Sequence, residues 1–183
     1  MLITISGVPG SGKTTVAKLL AERLGLPHVY AGDLFRQEAK RRGLTLEAFN
    51  DLCEHDHSID RSLDDRMAVR AREGNVVLEG RLAGYLAAQN GLDALKVWLD
   101  AGDEVRARRV AQREARDWRE VLEVNTTRHR SDANRYRAIY GFDLADRRVY
   151  DVVLHTDDRS PEALVDELAA RARRRFGTDG GRP

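Results

Sequence analysis

The run Gly7-Val8-Pro9-Gly10-Ser11-Gly12-Lys13-Thr14 matches the spacing G-x-x-x-x-G-K-[ST] without a mismatch, and that spacing serves one chemical task, the wrapping of a polyphosphate. Successive backbone N–H groups must come within reach of phosphate oxygens, where side chains would stand in the way. Glycine at 7, 10 and 12 removes Cβ from the sharp turns, Lys13 supplies a point charge for the terminal phosphates, and Thr14 offers a hydroxyl to Mg2+. The stretch from Gly7 through Thr15 is the expected phosphate cradle.

Further residues suited to phosphate chemistry stand just past apolar, strand-like segments. Asp33 and Arg36 follow Pro27 to Tyr30, at the sheet edge where ligands of open parallel sheets bind. Asp33 suits an Mg2+-bound water or an acceptor, or else caps the next helix; Arg36 suits an acceptor phosphate. Glu79-Gly80-Arg81 follows Val76-Val77-Leu78. Here Glu79 is placed to hold Mg2+ through water, and Gly80 lets Arg81 turn into the site. Asp100 after Val97-Trp98-Leu99 competes for that metal role, or caps a helix near Asp103. Arg109 and Arg113 are i, i+4 on one predicted helix, like charges that repel unless an anion lies between them. They face a triphosphate, or form surface pairs with Glu104 and Glu114. Arg128, Asp132 and Arg135 share a helical face, as a solvated ion-pair ladder or as part of a site. The five histidines have no metal-binding spacing and read as surface residues.

These residues need a sheet edge to stand on, and the pattern supplies one. Leu2 to Ser6, Pro27 to Tyr30, Asn75 to Glu79, Leu95 to Leu99 and Val149 to His155 read as five parallel strands separated by helical patterns. The expected fold is a three-layer α/β/α arrangement around that sheet. Thr14 to Leu24 forms the first helix, stopped by Gly25 and Pro27, and Ser160-Pro161 opens the last. At 183 residues and 42% hydrophobic content, a single domain over 1–183 with an adequate core is expected.

Two stretches exceed what a crossover needs. Residues 34–73 carry three helical patterns, and 113–135 are strongly charged with few apolar members. A phosphoryl transferase must hold its acceptor opposite the γ-phosphate and exclude water, so one excursion suits the acceptor and the other a lid. A flexible tail is expected over 177–183. All but four of the 31 Lys and Arg residues are arginine, suited to bidentate phosphate recognition, while acids hold the net charge to +1. That balance argues against a nucleic-acid partner. Cys53 is the only cysteine, which excludes an internal disulfide. No run approaches the roughly 18 apolar residues of a membrane span, so no membrane association and a cytoplasmic location are expected. A monomer is the expected state.

Taken together, these motifs make the chain similar to the nucleoside monophosphate kinases, in particular the compact archaeal cytidylate kinases of the P-loop class. The resemblance runs from Ile3 to Thr15, through Ala31-Gly32-Asp33 and Glu79-Gly80-Arg81-Leu82-Ala83-Gly84, to Arg135-Tyr136 and Tyr140-Gly141. It implies a core with an acceptor-binding insertion at 34–73 and a lid at 113–135. ATP and Mg2+ would sit at the loop and CMP or dCMP opposite. It further implies that Arg36 and Arg81 hold the acceptor phosphate, that Lys13, Arg109, Arg113 and Arg128 act on the transferred group, and that Arg128, Asp132 and Arg135 reach the acceptor ribose and phosphate. Asp60, Arg61 and Asp64 are candidates for reading the base. The glycine-phenylalanine-proline-arginine stretch of adenylate kinases is replaced by Glu79-Gly80-Arg81, which counts against AMP. Other readings are a different small-molecule kinase, adenylate kinase included, and a nucleic-acid-associated ATPase. A GTPase switch is disfavoured, since neither D-x-x-G nor [NT]-K-x-D occurs.

Overall fold

A computed structural model describes residues 1–177. Five parallel strands are ordered β2-β3-β1-β4-β5: β1 (Leu2–Gly7), β2 (His28–Tyr30), β3 (Val76–Glu79), β4 (Leu95–Asp100) and β5 (Val152–His155). β1 lies at the centre and is buried along its whole length, as a strand covered on both faces must be. Alternation divides its side chains. Ile3 and Ile5 pack with Val16, Leu20, Leu164 and Leu168 from α1 (Lys13–Leu24) and the terminal helix, while Leu2 joins Val76, Leu78 and Trp98 in a second core on the opposite face.

The connections supply the remaining helices. After β2 come α2 (Ala31–Arg41), α3 (Leu46–His55) and α4 (His57–Glu73). Then follow α5 (Ala83–Gln89) after β3, α6 (Asp103–Glu114) and α7 (Trp118–Tyr140) after β4, and α8 (Pro161–Phe176) after β5. α8 starts as expected, with the Ser160 hydroxyl accepting from the Ala163 N–H. Each excursion has its own small core. Ala39, Phe49, Cys53, Ile59 and Leu63 bring α2, α3 and α4 together, and Ala107, Val110, Ala111 and Val121 join α6 to α7.

Two boundaries differ from expectation. The charged stretch at 113–135 breaks at Ala115, which is left-handed (φ 52°), and Asp117 caps a new helix that runs on to Tyr140. β5 begins at Val152 rather than 149, because Tyr150 turns inward to pack on Trp98. The expected tail at 177–183 lies, Gly177 apart, outside the described residues. Among the described residues no helix is long and apolar enough to cross a membrane.

Candidate active site

The loop between β1 and α1 is shaped to leave its donors free. The N–H groups of Gly10, Gly12, Lys13 and Thr14 donate to no other group among the described residues, and no side chain caps α1. Unpaired N–H groups at a helix N-terminus form an anion site. Gly10 is obligatory in this geometry: its φ is +80°, and a Cβ there would stand 2.5 Å from the Arg106 carbonyl oxygen. The Lys13 ammonium bends back to donate to the Val8 carbonyl at 3.2 Å.

Braces from α6 and β5 keep the loop in place. Arg106 donates to the carbonyls of Ala101 (3.0 Å) and Pro9 (3.3 Å) and pairs with Asp103. Thr156, just past β5, donates its hydroxyl to the Ser11 carbonyl at 3.0 Å and accepts from Arg109 at 2.9 Å. Arg109 also donates to the Thr156 carbonyl at 2.7 Å. Sequence reasoning had no means to find Arg106 or Thr156 in this role, because their partners are backbone carbonyls about 97 and 145 residues away in the chain.

Glu79 ends β3 fully buried, with Oε1 accepting the Thr14 hydroxyl at 2.5 Å and Oε2 lying 3.0 Å from His28 Nε2. A hydroxyl and a carboxylate are the hard oxygen donors that Mg2+ takes, and their pairing at the loop fits that ion. Among the described residues no cluster of three acidic, His or Cys side chains could hold a metal, so further ligands would come from phosphates and water. Asp100, the rival for this role, accepts the Ala101 N–H at 3.0 Å and lies 3.8 Å from Arg147.

Positive charge collects opposite the loop. Burial first, then the Arg81 guanidinium, push the Lys13 ammonium down to about 8; Glu79 opposes them, while Arg128 and Arg113 add to the fall. Burial likewise lowers Arg81 to about 9, which leaves it cationic at neutral pH. Arg81 pairs with Asp132 through one nitrogen, while its other terminal nitrogen is buried without a partner. Burying such a donor unpaired is costly, and an incoming phosphate oxygen would remove that cost.

Asp132 is also held by Arg135 at 2.9 Å, and Arg135 reaches Asp60 at 2.8 Å and Asn50 at 3.4 Å. Next to this network Tyr140 donates to Asp64 at 2.6 Å, and burial pushes the Asp64 carboxyl up to about 7. Through these contacts Arg81, Asp132, Arg135 and Asp60 form one connected network, with Asp64 beside it and Lys13 near enough to Arg81 to feel its charge. Arg128 is exposed on the same helix as Asp132 and makes no ion pair among the described residues. Arg113 is exposed and pairs with Glu114 at 2.7 Å. Asp33 and Arg36 bond to each other at 2.5 Å in solvent, with Arg36 over the Tyr30 ring, and Asp33 lies in the first turn of α2 rather than at its cap. Arg61 is exposed and reaches none of these groups. His28, His57 and His129 are half-buried, against the expectation that all histidines lie at the surface.

A phosphate-binding loop at the centre of a five-stranded parallel sheet, faced by arginines from two helical excursions, defines a P-loop kinase fold. Solved structures agree. A gluconokinase from Sinorhizobium meliloti superimposes with a TM-score of 0.60 at 18% identity over 98% of this chain and 97% of that one. A shikimate kinase from Bacteroides thetaiotaomicron gives 0.56 at 17% over 97% and 98%. The chain belongs to the cytidylate kinase-like family, whose model matches residues 2–158. It is 45% identical to the cytidylate kinase of Pyrococcus horikoshii over 90% of this chain and 84% of that one, and 45% identical to that of Methanopyrus kandleri over 93% and 92%.

Proposed function

We propose that this chain transfers the γ-phosphoryl group of ATP to CMP or dCMP, giving ADP and CDP or dCDP. The observation that carries the reading is the concentration of cations at the loop mouth: Lys13, depressed by burial and then by the neighbouring Arg81, with smaller effects from Arg128 and Arg113, beside a buried Arg81 donor that has no partner. One nucleotide at the loop would satisfy Lys13; Arg81 calls for a second phosphate. The relatives' name, cytidylate kinase, supports CMP as its bearer.

Little covalent chemistry is asked of the protein. The phosphate oxygen of the acceptor is already anionic at neutral pH, so no base is needed, and catalysis consists of alignment and charge stabilisation. In this reading the N–H groups of Gly10, Gly12, Lys13 and Thr14 hold the donor phosphates, and Lys13 follows the group that moves. Arg81, with Arg36 closing from α2, grips the acceptor phosphate. Arg128 and Arg113 stabilise the transferred group, and Arg109 fixes the loop on the donor side. Asp132 and Arg135 orient the acceptor ribose, and Asp60 and Asp64 line the base end. Thr14 and, through water, Glu79 would hold Mg2+, which supplies positive charge to the donor phosphates. An alcohol acceptor would require a base, and Asp33 is committed to Arg36.

The same reading assigns residues 34–73 to acceptor binding and the α6–α7 tip to a lid, each on its own small core. It makes the protein a cytoplasmic monomer with small-molecule substrates. The test is ADP formation from ATP and Mg2+ against CMP, dCMP, UMP, AMP and GMP. CMP or dCMP is expected to lead; AMP ahead of CMP by about tenfold would overturn the assignment.

A further inference from the structure

His28 has no part in the chemistry above, yet it is one of two groups that grip the buried Glu79. It opens β2, which pairs in parallel with β3 so that His28 lies beside Val77 and Tyr30 beside Glu79. Residues two apart in a strand share a face, and the rings of His28 and Tyr30 lie nearly parallel, 12° apart with centroids separated by 6.4 Å. The imidazole is only 15% exposed and reaches forward along that face until Nε2 is 3.0 Å from Glu79 Oε2. A carboxylate oxygen accepts and does not donate, so the imidazole tautomer that fits this contact carries its proton on Nε2.

Glu79 is thereby fixed at both oxygens by two different elements, α1 through Thr14 and β2 through His28. Among the described residues no lysine or arginine lies within ion-pair distance of it. The Thr14 hydroxyl has one proton and two lone pairs. Its proton is committed to Glu79 Oε1, which turns the lone pairs away from Glu79 and leaves them free for a cation. A Glu79 carboxylate released at Oε2 could rotate, and the orientation of the Thr14 hydroxyl would be lost with it.

From this chain of contacts we infer that His28 is a positioning residue for the nucleotide's divalent cation, acting through Glu79 on the Thr14 hydroxyl. The inference rests on the reading of Thr14 and Glu79 as the metal-side oxygens. Groups that orient metal ligands change metal affinity by about 10- to 100-fold when removed. His28 never touches the ion, so its loss should weaken the metal-dependent part of nucleotide binding and spare the rest.

The experiment measures ADP binding by titration calorimetry, once with excess Mg2+ and once in EDTA, for the wild type, His28→Ala and His28→Gln. The wild type should bind ADP more tightly with Mg2+. In His28→Ala that enhancement should fall about tenfold, while affinity in EDTA stays within about twofold. His28→Gln presents an amide N–H near the position of Nε2 and should recover most of the enhancement. An unchanged enhancement in His28→Ala overturns the inference. So does an equal loss of affinity in EDTA, which would mark His28 as a support of the loop alone, or a failure of His28→Gln to recover. Absence of any Mg2+ enhancement in the wild type would instead sink the reading of Thr14 and Glu79, and the inference with it.

Discussion

Replacing Lys13 by methionine should make the ligand-free protein more stable and deaf to nucleotide. The ammonium is held at about 8 against an ordinary 10.5, mainly by burial and then by Arg81. At ~1.36 kcal/mol per pKa unit that fall corresponds to about 3 kcal/mol as an upper figure. Part of the side chain still reaches solvent, and screening brings the expected gain to about 1–2 kcal/mol. For a chain of this size that is a rise of about 2–8 °C in Tm. The sign follows from proton counting. Below about pH 8 Lys13 is charged in both folded and unfolded chains, so the wild type carries the whole penalty. Between about 8 and 10.5 the folded protein sheds the proton first, wild-type stability climbs with pH, and the penalty disappears. The margin between Lys13→Met and wild type should therefore be widest at neutral pH and narrow by about pH 10. Urea unfolding at the two pH values, with and without ADP, measures it. ADP should stabilise the wild type and leave the variant where it was. A variant no more stable than wild type at neutral pH, or a margin indifferent to pH, would refute the electrostatic account of the loop.

Arg128→Ala removes an exposed side chain with no ionic partner among the described residues, so unfolding should shift by less than ~0.5 kcal/mol while kcat/KM falls about 10²- to 10³-fold. Turnover near the wild-type value in steady-state assays would remove Arg128 from the transferred group. Asp64→Asn tests a carboxyl raised by burial to about 7 from an ordinary 3.8. The folded protein favours the neutral form, so wild-type stability should drop as pH rises from about 4 to 7, and the variant should escape that drop. Parallel stability curves for the two proteins would contradict this, and the CMP-to-UMP rate ratio should also fall in the variant. Thr156→Val keeps the shape but deletes the hydroxyl shared by Ser11 and Arg109. The KM for ATP should rise about tenfold with kcat little changed, the size expected for one buried hydrogen bond; an unaltered KM would show that the brace is idle.

The loop, its strand and its helix were legible because their signals are contiguous: Leu2 to Leu24 carries strand pattern, glycine spacing and helical pattern in one stretch. Arg81 was legible for the same reason, standing beside Glu79 at a strand end. What stayed hidden depends on pairs that only folding brings together. Arg135 meets Asp60 from 75 positions away, and nothing local to either residue names the other. His28 read as a surface residue because a three-residue strand is too short to show periodicity; the usable signal was that His28 and Tyr30 share a face with the strand-end acid. Tyr150 extended an apolar run by pattern alone, yet its ring belongs to the packing around Trp98 and Gly84, so the strand starts after it. The site was thus readable where one segment carries it and opaque where α4 and α7 complete it.

The 23 residues of α7 are held unevenly along their length. From Ser131 onward the helix is clamped: Ser131 bonds to Glu54, Asp132 to Arg81, Arg135 to Asp60, and Ala133, Tyr136 and Tyr140 rest on the main core. Its first turns pack on α6 through Trp118, Val121 and Leu122, while Glu123, Val124, Thr126 and Thr127 lie in water. Such a rod is a lever with one end bolted down, and Arg128 sits next to the bolt. If the α6–α7 tip closes as the proposed lid, Trp118 would travel a wider arc than Arg128. In the proposed function such a cover would exchange nucleotides while the charge assigned to the phosphoryl group stays close to its post.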